Sequence, residues 1–173
     1  RGTVLEAPNL AWHGLDLAAG LGAGLDVPVH VANDANAIAL AELGLSEPPG
    51  RSLLVVKVGH GVGAGLVLDG HLVLGDRFAA GEIGHVVVDP DGEACPCRRA
   101  GCLERVIAAP RLRRRAGRGD AVAEHTAAGQ RLGEALAPVI STLNLPEVVL
   151  SGPLDVLDET VRAAALAAIR NRT

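Results

Sequence analysis

The sequence feature that most constrains this chain is a group of four possible metal ligands in one short stretch. All three cysteines lie at positions 95, 97 and 102, and His85 precedes the first of them by ten residues. Structural zinc sites use four tetrahedral ligands drawn from cysteine and histidine. We therefore predict a closed, structural Zn²⁺ site formed by His85, Cys95, Cys97 and Cys102. The alternative, three unrelated reduced thiols beside a buried histidine, fits poorly with three cysteines clustered in a chain that has no others.

Composition argues against several classes of function. The chain of 173 residues has one Phe, one Trp and no Tyr, which argues against the stacking of single-stranded nucleic-acid bases. Its net charge of -4 provides no general attraction to DNA or to anionic membranes. No apolar run approaches the roughly 20 residues of a membrane span. Because cysteines that cannot all pair are typical of a reducing compartment, we expect a cytoplasmic protein without membrane contact.

Apolar patterns indicate helices and strands on both sides of a short linker, Ser46–Gly50. Before the linker, they predict loop, a helix from about Leu15 to Leu21, a brief strand at Val29–Val31, and a helix with Asp34 near its N-terminus and Gly44 just past its end. After it, a glycine turn and an Asp69-Gly70 hairpin predict three strands within residues 52–75. The later predictions are a strand at Val86–Val88, a helix from Cys102 or Leu103, a helix over Ala123–Leu143 kinked at Pro138, a buried strand at Glu147–Leu150 and a helix over residues 155–170.

Three further segments carry candidate binding residues. Asn33 and Asp34 fall at a predicted strand-to-helix junction, where ligands bind in open α/β sheets, although Asp34 could be only a helix cap. The glycine turn at Gly59, Gly61 and Gly63 opens into a strand, so it can cradle phosphate with backbone N–H groups or serve only as a tight turn. The basic run at 111–118 is interpreted as a solvated helix end in preference to a nucleic-acid patch.

The polar residues suit a neutral polyol. Asp34 could act as a general base on a hydroxyl, while Asn33, Glu82, His85 and Glu104 supply hydrogen bonds. Carboxylates and amides bind the paired donors and acceptors of sugar hydroxyls.

Four segments resemble the ROK family of repressors, open reading frames and sugar kinases. They are VANDANAIALAE at 31–42, VGHGVGAGLVLDG at 58–70, GEIGH at 81–85 and CPCRRAGCLE at 95–104. The resemblance implies an α/β, actin-like or hexokinase-like (ribonuclease H-like) fold. It also implies the end of an N-terminal lobe at residues 1–46, and a C-terminal lobe at residues 51–173 that is incomplete at its C-terminus. By the same resemblance, Asn33, Asp34, Glu82, His85 and Glu104 match sugar-binding positions, with Asp34 at the catalytic-base position of the kinases, and His85, Cys95, Cys97 and Cys102 match zinc ligands.

The chain also departs from the kinase pattern. The first phosphate motif of the family, an Asp-x-Gly segment, is absent from the sequence. His60 stands where the kinases usually carry Thr, Pro153 replaces a second Gly, and Arg98 replaces the Gly after the cysteine pair. The sugar side is therefore intact and the nucleotide side is eroded.

This pattern favours the sugar-sensing portion of a transcriptional regulator. It would bind a monosaccharide or sugar derivative and contact DNA only through a domain upstream of Arg1, and the resemblance implies a homodimer or homotetramer. One alternative is an ATP-dependent hexose kinase that uses ATP and Mg²⁺, with Asp34 as the base. Another is a non-catalytic, zinc-stabilised oligomerisation module.

Overall fold

The computed structural model describes residues 2–7, 10–45 and 50–173. Two sheets and six helices make up these residues, together with a short 3₁₀ turn at Ile83–His85. The strands are β1 (Thr3–Ala7), β2 (Trp12–Asp16), β3 (Leu53–Val58), β4 (Val62–Leu68), β5 (His71–Val73) and β6 (Val148–Ser151). The helices are α1 (Leu17–Gly22), α2 (Asp34–Leu45), α3 (Leu103–Ile107), α4 (Ala109–Ala116), α5 (Ala121–Leu143) and α6 (Glu159–Arg170).

The larger sheet has the strand order β5-β4-β3-β6, and β3 lies at its centre. β3 pairs antiparallel with β4, which places Val55 opposite Gly65, and parallel with β6, which places Val55 opposite Val149. β4 and β5 form the antiparallel hairpin at the edge. A central strand covered on both faces is apolar over most of its length, which is why β3 reads LLVVKV, with Lys57 near its end as the one polar residue.

The sheet lies between two layers of helix. Leu54, Val56 and Val58 of β3 pack into a core formed with α3, α4, α5 and α6. On the opposite face, Leu53 and Val55 pack with Ala39 and Ile38 of α2. Alternate residues of one strand therefore serve two cores, as the pleat of a strand requires.

Glycines allow the closest approaches between these layers. A Cβ on Gly65 of β4 would lie 2.6 Å from the Cβ of Ala39, so α2 packs directly on the strand backbone. On the other face, a Cβ on Gly129 would lie 2.3 Å from the carbonyl oxygen of Val161, and one on Gly133 would lie 2.4 Å from that of Ala165. The long helix α5 is thus held backbone to backbone against α6.

Most predicted elements after residue 50 are confirmed. The three strands form, and Asp69 and Gly70 both have positive φ, 49° and 78°, as a two-residue hairpin turn requires. α3 begins at Leu103 with Cys102 as its N-cap, and α5 contains Pro138. β6 is half-buried instead of buried. α6 begins at Glu159 and not at residue 155, because the side chain of Asp158 caps it.

The predictions before residue 50 were less accurate. The expected opening loop is a β1–β2 hairpin, and the helix starts at Leu17 because Asp16 caps it by accepting the N–H of Ala19 at 2.9 Å. Gly44 lies inside α2, which continues to Leu45. No strand forms at Val29–Val31, since no bridge joins it to either sheet within the described residues. The predicted linker lies mainly outside those residues, at 46–49.

The strand predicted at Val86–Val88 is also wrong. Only Val87 forms a bridge, with Cys102. The N–H groups of Val88 and Asp89 both donate to the carbonyl of Gly101, so the ladder cannot continue. A single bridge remains, and it fixes one end of the cysteine loop.

None of the helices in the described parts of the chain combines the length and the apolar character needed to cross a bilayer.

Candidate functional site

The four predicted metal ligands come together in the structure. The Sγ atoms of Cys95, Cys97 and Cys102 and one ring nitrogen of His85 all lie within 4.8 Å of one another. Two of these separations are 3.5 Å, between Cys97 Sγ and Cys102 Sγ, and 3.6 Å, between Cys95 Sγ and His85 Nδ1. With Zn–S bonds of about 2.3 Å, tetrahedral ligand atoms lie roughly 3.8 Å apart. The cluster therefore has the size and the donor set that fit a tetrahedral soft metal.

Backbone hydrogen bonds shape the loop that carries the three thiols. The N–H of Cys95 donates to Arg99 O at 2.7 Å, and the N–H of Arg98 donates to Cys95 O at 2.9 Å. A bridge between Ala94 and Ala100 closes the base of this small turn. The turn presents Cys95 and Cys97, while the neighbouring bridge to Val87 places Cys102 beside them.

Two glycines allow the surrounding segments to meet. Gly101 has φ 63°, and a Cβ there would lie 1.4 Å from the carbonyl oxygen of Asp89. Gly84 lies against β4, where a Cβ would be 2.1 Å from Val62 O. These contacts press the His85 turn onto the start of β4 and hold the cysteine loop against the chain before it.

The three thiols have different electrostatic surroundings. The backbone N–H and the guanidinium of Arg99 lower the pKa of Cys97 to about 6. Burial, with the hydrogen bonds that its thiol donates to Cys97 and Cys95, raises the pKa of Cys102 to about 12. Metal binding requires thiolates, so a cation at this position would compensate for the burial of Cys102.

Asp34 lies at the first turn of α2, where Asn33 acts as the cap. The Oδ1 of Asn33 accepts the N–H groups of Ala35 at 2.9 Å and Asn36 at 3.3 Å. Oδ1 of Asp34 accepts the N–H of Ala35, and Oδ2 forms an ion pair with Lys57 Nζ. The interpretation of Asp34 as only a helix cap is therefore incomplete. The side chain of Asp34 remains 64% exposed, so its carboxylate is accessible to a ligand.

The glycine turn lies beside this ion pair. The N–H of Gly59 donates to Gly61 O at 2.9 Å, which closes the turn between β3 and β4. A Cβ on Gly59 would lie 3.4 Å from Lys57 Nζ, and one on Gly63 would lie 3.8 Å from the Cβ of Ala35. Asp34, Lys57 and the glycine turn therefore lie next to one another.

The remaining predicted sugar-binding residues surround the start of β4. Oε2 of Glu104 accepts the N–H of Val62 at 3.1 Å. Nε2 of His85 lies 3.9 Å from Oε2 of Glu82, so one edge of the imidazole faces the thiols and the other faces a carboxylate. A carboxylate near the free ring nitrogen of a metal-bound histidine can orient the ring. Val62 is thus the meeting point of the glycine turn, the His85 turn and α3.

Sequence reasoning missed Lys57. It is the only lysine of the chain and interrupts an otherwise apolar strand immediately before the glycine turn, and that isolation was an available signal. Its partner lies 23 positions away, however, so the pairing depends on how α2 packs.

The described residues thus combine a mixed sheet covered by helices with a Cys₃His cluster that could hold a metal ion, next to a glycine turn and an Asn-Asp pair at a helix start. The sequence profile of the ROK family matches residues 1–171. The chain belongs to the ROK family, and its fold is the actin-like or hexokinase-like fold of that family.

Relatives of both functional types are similar to this chain. A glucokinase of Halalkalibacterium halodurans is 40% identical over 126 residues, which are 72% of this chain and 38% of the glucokinase. A putative xylose repressor of a Caldicellulosiruptor species is 41% identical over 104 residues, 60% of this chain and 26% of the repressor. The crystal structure of a ROK family transcriptional regulator, homologous to the Escherichia coli MLC protein, superposes with a TM-score of 0.86 at 28% identity. That superposition covers 99% of this chain and 51% of the regulator. The chain thus spans about half or less of these relatives.

Proposed function

We propose that this chain is the sugar-sensing part of a ROK transcriptional regulator. A monosaccharide would bind beside α2, with hydroxyl groups on Asn33, Asp34, Glu82, His85 and Glu104. Binding would change the position of α2 relative to the His85 turn and so bias DNA binding by a segment outside these residues. The regulator and repressor among the relatives support this reading, but a glucokinase is equally among them.

The ion pair between Asp34 and Lys57 is the observation that carries the preference for a regulator. A kinase base must accept a proton from the attacking hydroxyl, which needs an available carboxylate oxygen at that position. Here one oxygen is paired with the ammonium group and the other accepts the N–H of Ala35 at 2.8 Å. Each oxygen keeps a lone pair that can accept a hydrogen bond from a sugar hydroxyl, since the side chain is exposed. Taking up the proton itself would break the ion pair with Lys57, so the pairing favours binding over proton abstraction.

Zinc would serve this function as a structural ion. Four protein ligands leave no open position for water, so the ion would supply rigidity and no catalysis. By fixing Nδ1 of His85 it would hold Nε2 towards Glu82 and the ligand. The same loop leads directly into α3, so the ion would also set the direction of Glu104.

A second candidate is an ATP-dependent sugar kinase. It is supported by the glucokinase relative and by the glycine turn, where a Cβ on Gly59 would lie 3.4 Å from Lys57 Nζ, a cation suited to phosphate. In that case Asp34 would deprotonate the sugar hydroxyl, and ATP with Mg²⁺ would bind across the turn. His60 in this turn is the feature that argues against it.

Calorimetry of the intact protein against a monosaccharide panel, with a parallel ADP-release assay, tests these proposals. The regulator predicts binding of at least one sugar without ADP release, and at least about tenfold weaker binding by Asp34→Asn. Asp26→Asn, the same change on an exposed loop, should bind as the unmodified protein does. ADP release that Asp34→Asn abolishes would establish the kinase instead. Loss of all sugar binding, with chelation still unfolding the chain, would leave only a zinc-stabilised oligomerisation module.

A further inference from the structure

Lys57 is the one charged residue in the central strand of the larger sheet. It lies on the face of β3 that packs against α2, because Leu53 and Val55, at the alternating positions before it, pack with Ala39. Its side chain is only 28% exposed, although lysine is among the residues most rarely buried. The other residues of β3 are all apolar and buried. The packing of the strand therefore does not explain the lysine.

The ion pair with Asp34 does not explain it through stability either. The carboxylate of Asp34 is 64% exposed, and an ion pair with so exposed a partner contributes little to stability. Asp34 also has a second contact, since its Oδ1 accepts the N–H of Ala35 at 2.8 Å. Among the residues that the structure describes, Asp34 is the hydrogen-bond partner of the Lys57 ammonium group. Two of the three N–H donors of that group are therefore left for another acceptor.

Small residues leave the ammonium group accessible to a ligand. The residues paired with Lys57 on the neighbouring strands are Gly63 of β4 and Ser151 of β6, and paired residues point to the same face of a sheet. The glycine turn lies against the ammonium group, where a Cβ on Gly59 would be 3.4 Å from Nζ. Neither glycine carries a side chain that could cover the ion pair. A carboxylate and an ammonium group are therefore presented together at an accessible position.

We propose that Lys57 is a sugar-contacting residue and that Asp34 and Lys57 together hold one hydroxyl group of the sugar. A carboxylate only accepts hydrogen bonds, an ammonium group only donates them, and a hydroxyl group does both. The same hydroxyl therefore donates to Asp34 and accepts from Nζ of Lys57, and a charge strengthens each of these hydrogen bonds. The pair has no net charge, so an uncharged sugar covers it without leaving one charge uncompensated. The inference rests on the proposed sugar binding and adds a residue to the five candidates named for it.

Single replacements of sugar hydroxyls test this contact without altering the protein. Calorimetry of the intact protein first identifies the tightest ligand among glucose, mannose, xylose and N-acetylglucosamine, and then compares its single deoxy and deoxyfluoro derivatives. At the position held by the pair, the deoxy derivative loses both hydrogen bonds. Fluorine cannot donate to Asp34, but the negative end of the C–F bond still attracts the ammonium group. At that position the fluoro derivative should therefore bind about threefold or more tightly than the deoxy derivative.

Lys57→Met should reverse this order, because fluorine would then face only the carboxylate of Asp34, which repels it. The variant should also bind the parent sugar about tenfold or more weakly, as expected for the loss of a hydrogen bond from a charged group. Arg51→Met is the matched control, since it removes a cation paired with Glu147 before the start of β3, at the end opposite to Lys57. It should leave the affinity and the order unchanged. A purely structural role of Lys57 would lower the melting temperature without reversing the order of the derivatives.

The outcomes separate this inference from the proposed function. If a sugar binds the unmodified protein but no fluoro derivative binds more tightly than its deoxy counterpart, the role of Lys57 is refuted and sugar sensing stands. Equal affinity of Lys57→Met and the unmodified protein for the parent sugar would refute it as well. If the unmodified protein binds none of the four sugars, sugar sensing fails and this inference fails with it. If Lys57→Met does not fold, the derivatives on the unmodified protein decide alone.

Discussion

Arg98 occupies a strained backbone position in the cysteine loop. Its φ is 71°, in the left-handed region that glycine adopts without cost, and its N–H closes the turn onto Cys95 O. A side chain in this conformation costs roughly 1 kcal/mol relative to glycine. The loop therefore holds an unfavourable residue in the conformation that the cysteine positions require.

Replacing Arg98 with glycine should stabilise the protein. We expect Arg98→Gly to raise the free energy of unfolding by about 0.5–1 kcal/mol, because it removes the left-handed strain and no ion pair of the described residues. Urea denaturation measures the change. Arg118→Gly, at a position without positive φ, should instead lose stability through the added freedom of the unfolded chain. A less stable Arg98→Gly variant would mean that the guanidinium contributes more than the backbone strain costs.

At the scale of the elements, α5 and α6 depend on two helical glycines. A Cβ on Gly133 would lie 2.4 Å from Ala165 O and 2.6 Å from the Cβ of Ala168, and backbone atoms cannot move aside cheaply. Gly133→Ala should lower the free energy of unfolding by about 2–3 kcal/mol through overpacking. Gly44→Ala, also in a helix but with no atom of the described residues within 4 Å of the new Cβ, should raise it by up to about 1 kcal/mol. Thermal denaturation of the two variants should therefore give shifts of opposite sign.

The N-cap of α6 makes stability depend on pH. Burial alone would raise the pKa of Asp158, but the N–H of Val161, together with His125 and the N–H of Thr160, outweighs it and lowers the pKa below its usual 3.8. A carboxyl group with a lowered folded-state pKa contributes stability above its unfolded pKa and loses it as pH falls through the folded value.

We therefore expect Asp158→Asn to be less stable than the unmodified protein at pH 7, by roughly 1 kcal/mol, although asparagine can still cap the helix. The difference should shrink as the pH falls below about 4. Denaturant titrations at pH 7, 5 and 3 measure it. The exposed change Asp26→Asn should show no comparable pH-dependent difference, and a constant deficit for Asp158→Asn at all three values would contradict the assignment.

Sequence patterns could predict the elements that local interactions specify, and not those that depend on contacts between residues far apart in the chain. β3, β4 and α5 were predictable because local apolar runs, a glycine turn and a hairpin dipeptide specify them. The β1–β2 hairpin was missed because its strands are short and largely exposed, so burial leaves little pattern. Val86–Val88 has strand-forming residues, but the path of the chain around Gly101 leaves it only one bridge.

The candidate site divides in the same way. The metal ligands were predictable because three of the four lie in one loop and the residue types are chemically distinctive. The hydrogen bond from Val62 to Glu104 and the pairing of Asp34 with Lys57 depend on the packing of α2, β4 and α3, which no local pattern specifies.

At the scale of the whole molecule, the cysteine loop connects the two halves of the candidate site. It follows the His85 turn, which packs on β4, and leads into α3, whose Leu103 and Ile107 are buried in the main core. Without an ion, three thiols would have to share this space with the ring of His85, and the loop has few buried side chains of its own to hold it. We therefore expect metal binding and folding to be coupled.

Metal removal should destabilise the whole chain as well as the loop. The intact protein should contain about one zinc per chain, and chelation should lower its melting temperature and weaken sugar binding together, because His85 and Glu104 lose their fixed directions. Cys97→Ser should reproduce both effects, and the variant should show no further change on chelation. Metal analysis, thermal denaturation and calorimetry measure the three quantities. An unchanged melting temperature after complete metal removal would show that the loop is held by its hydrogen bonds and core contacts alone, and that the ligand site does not depend on the ion.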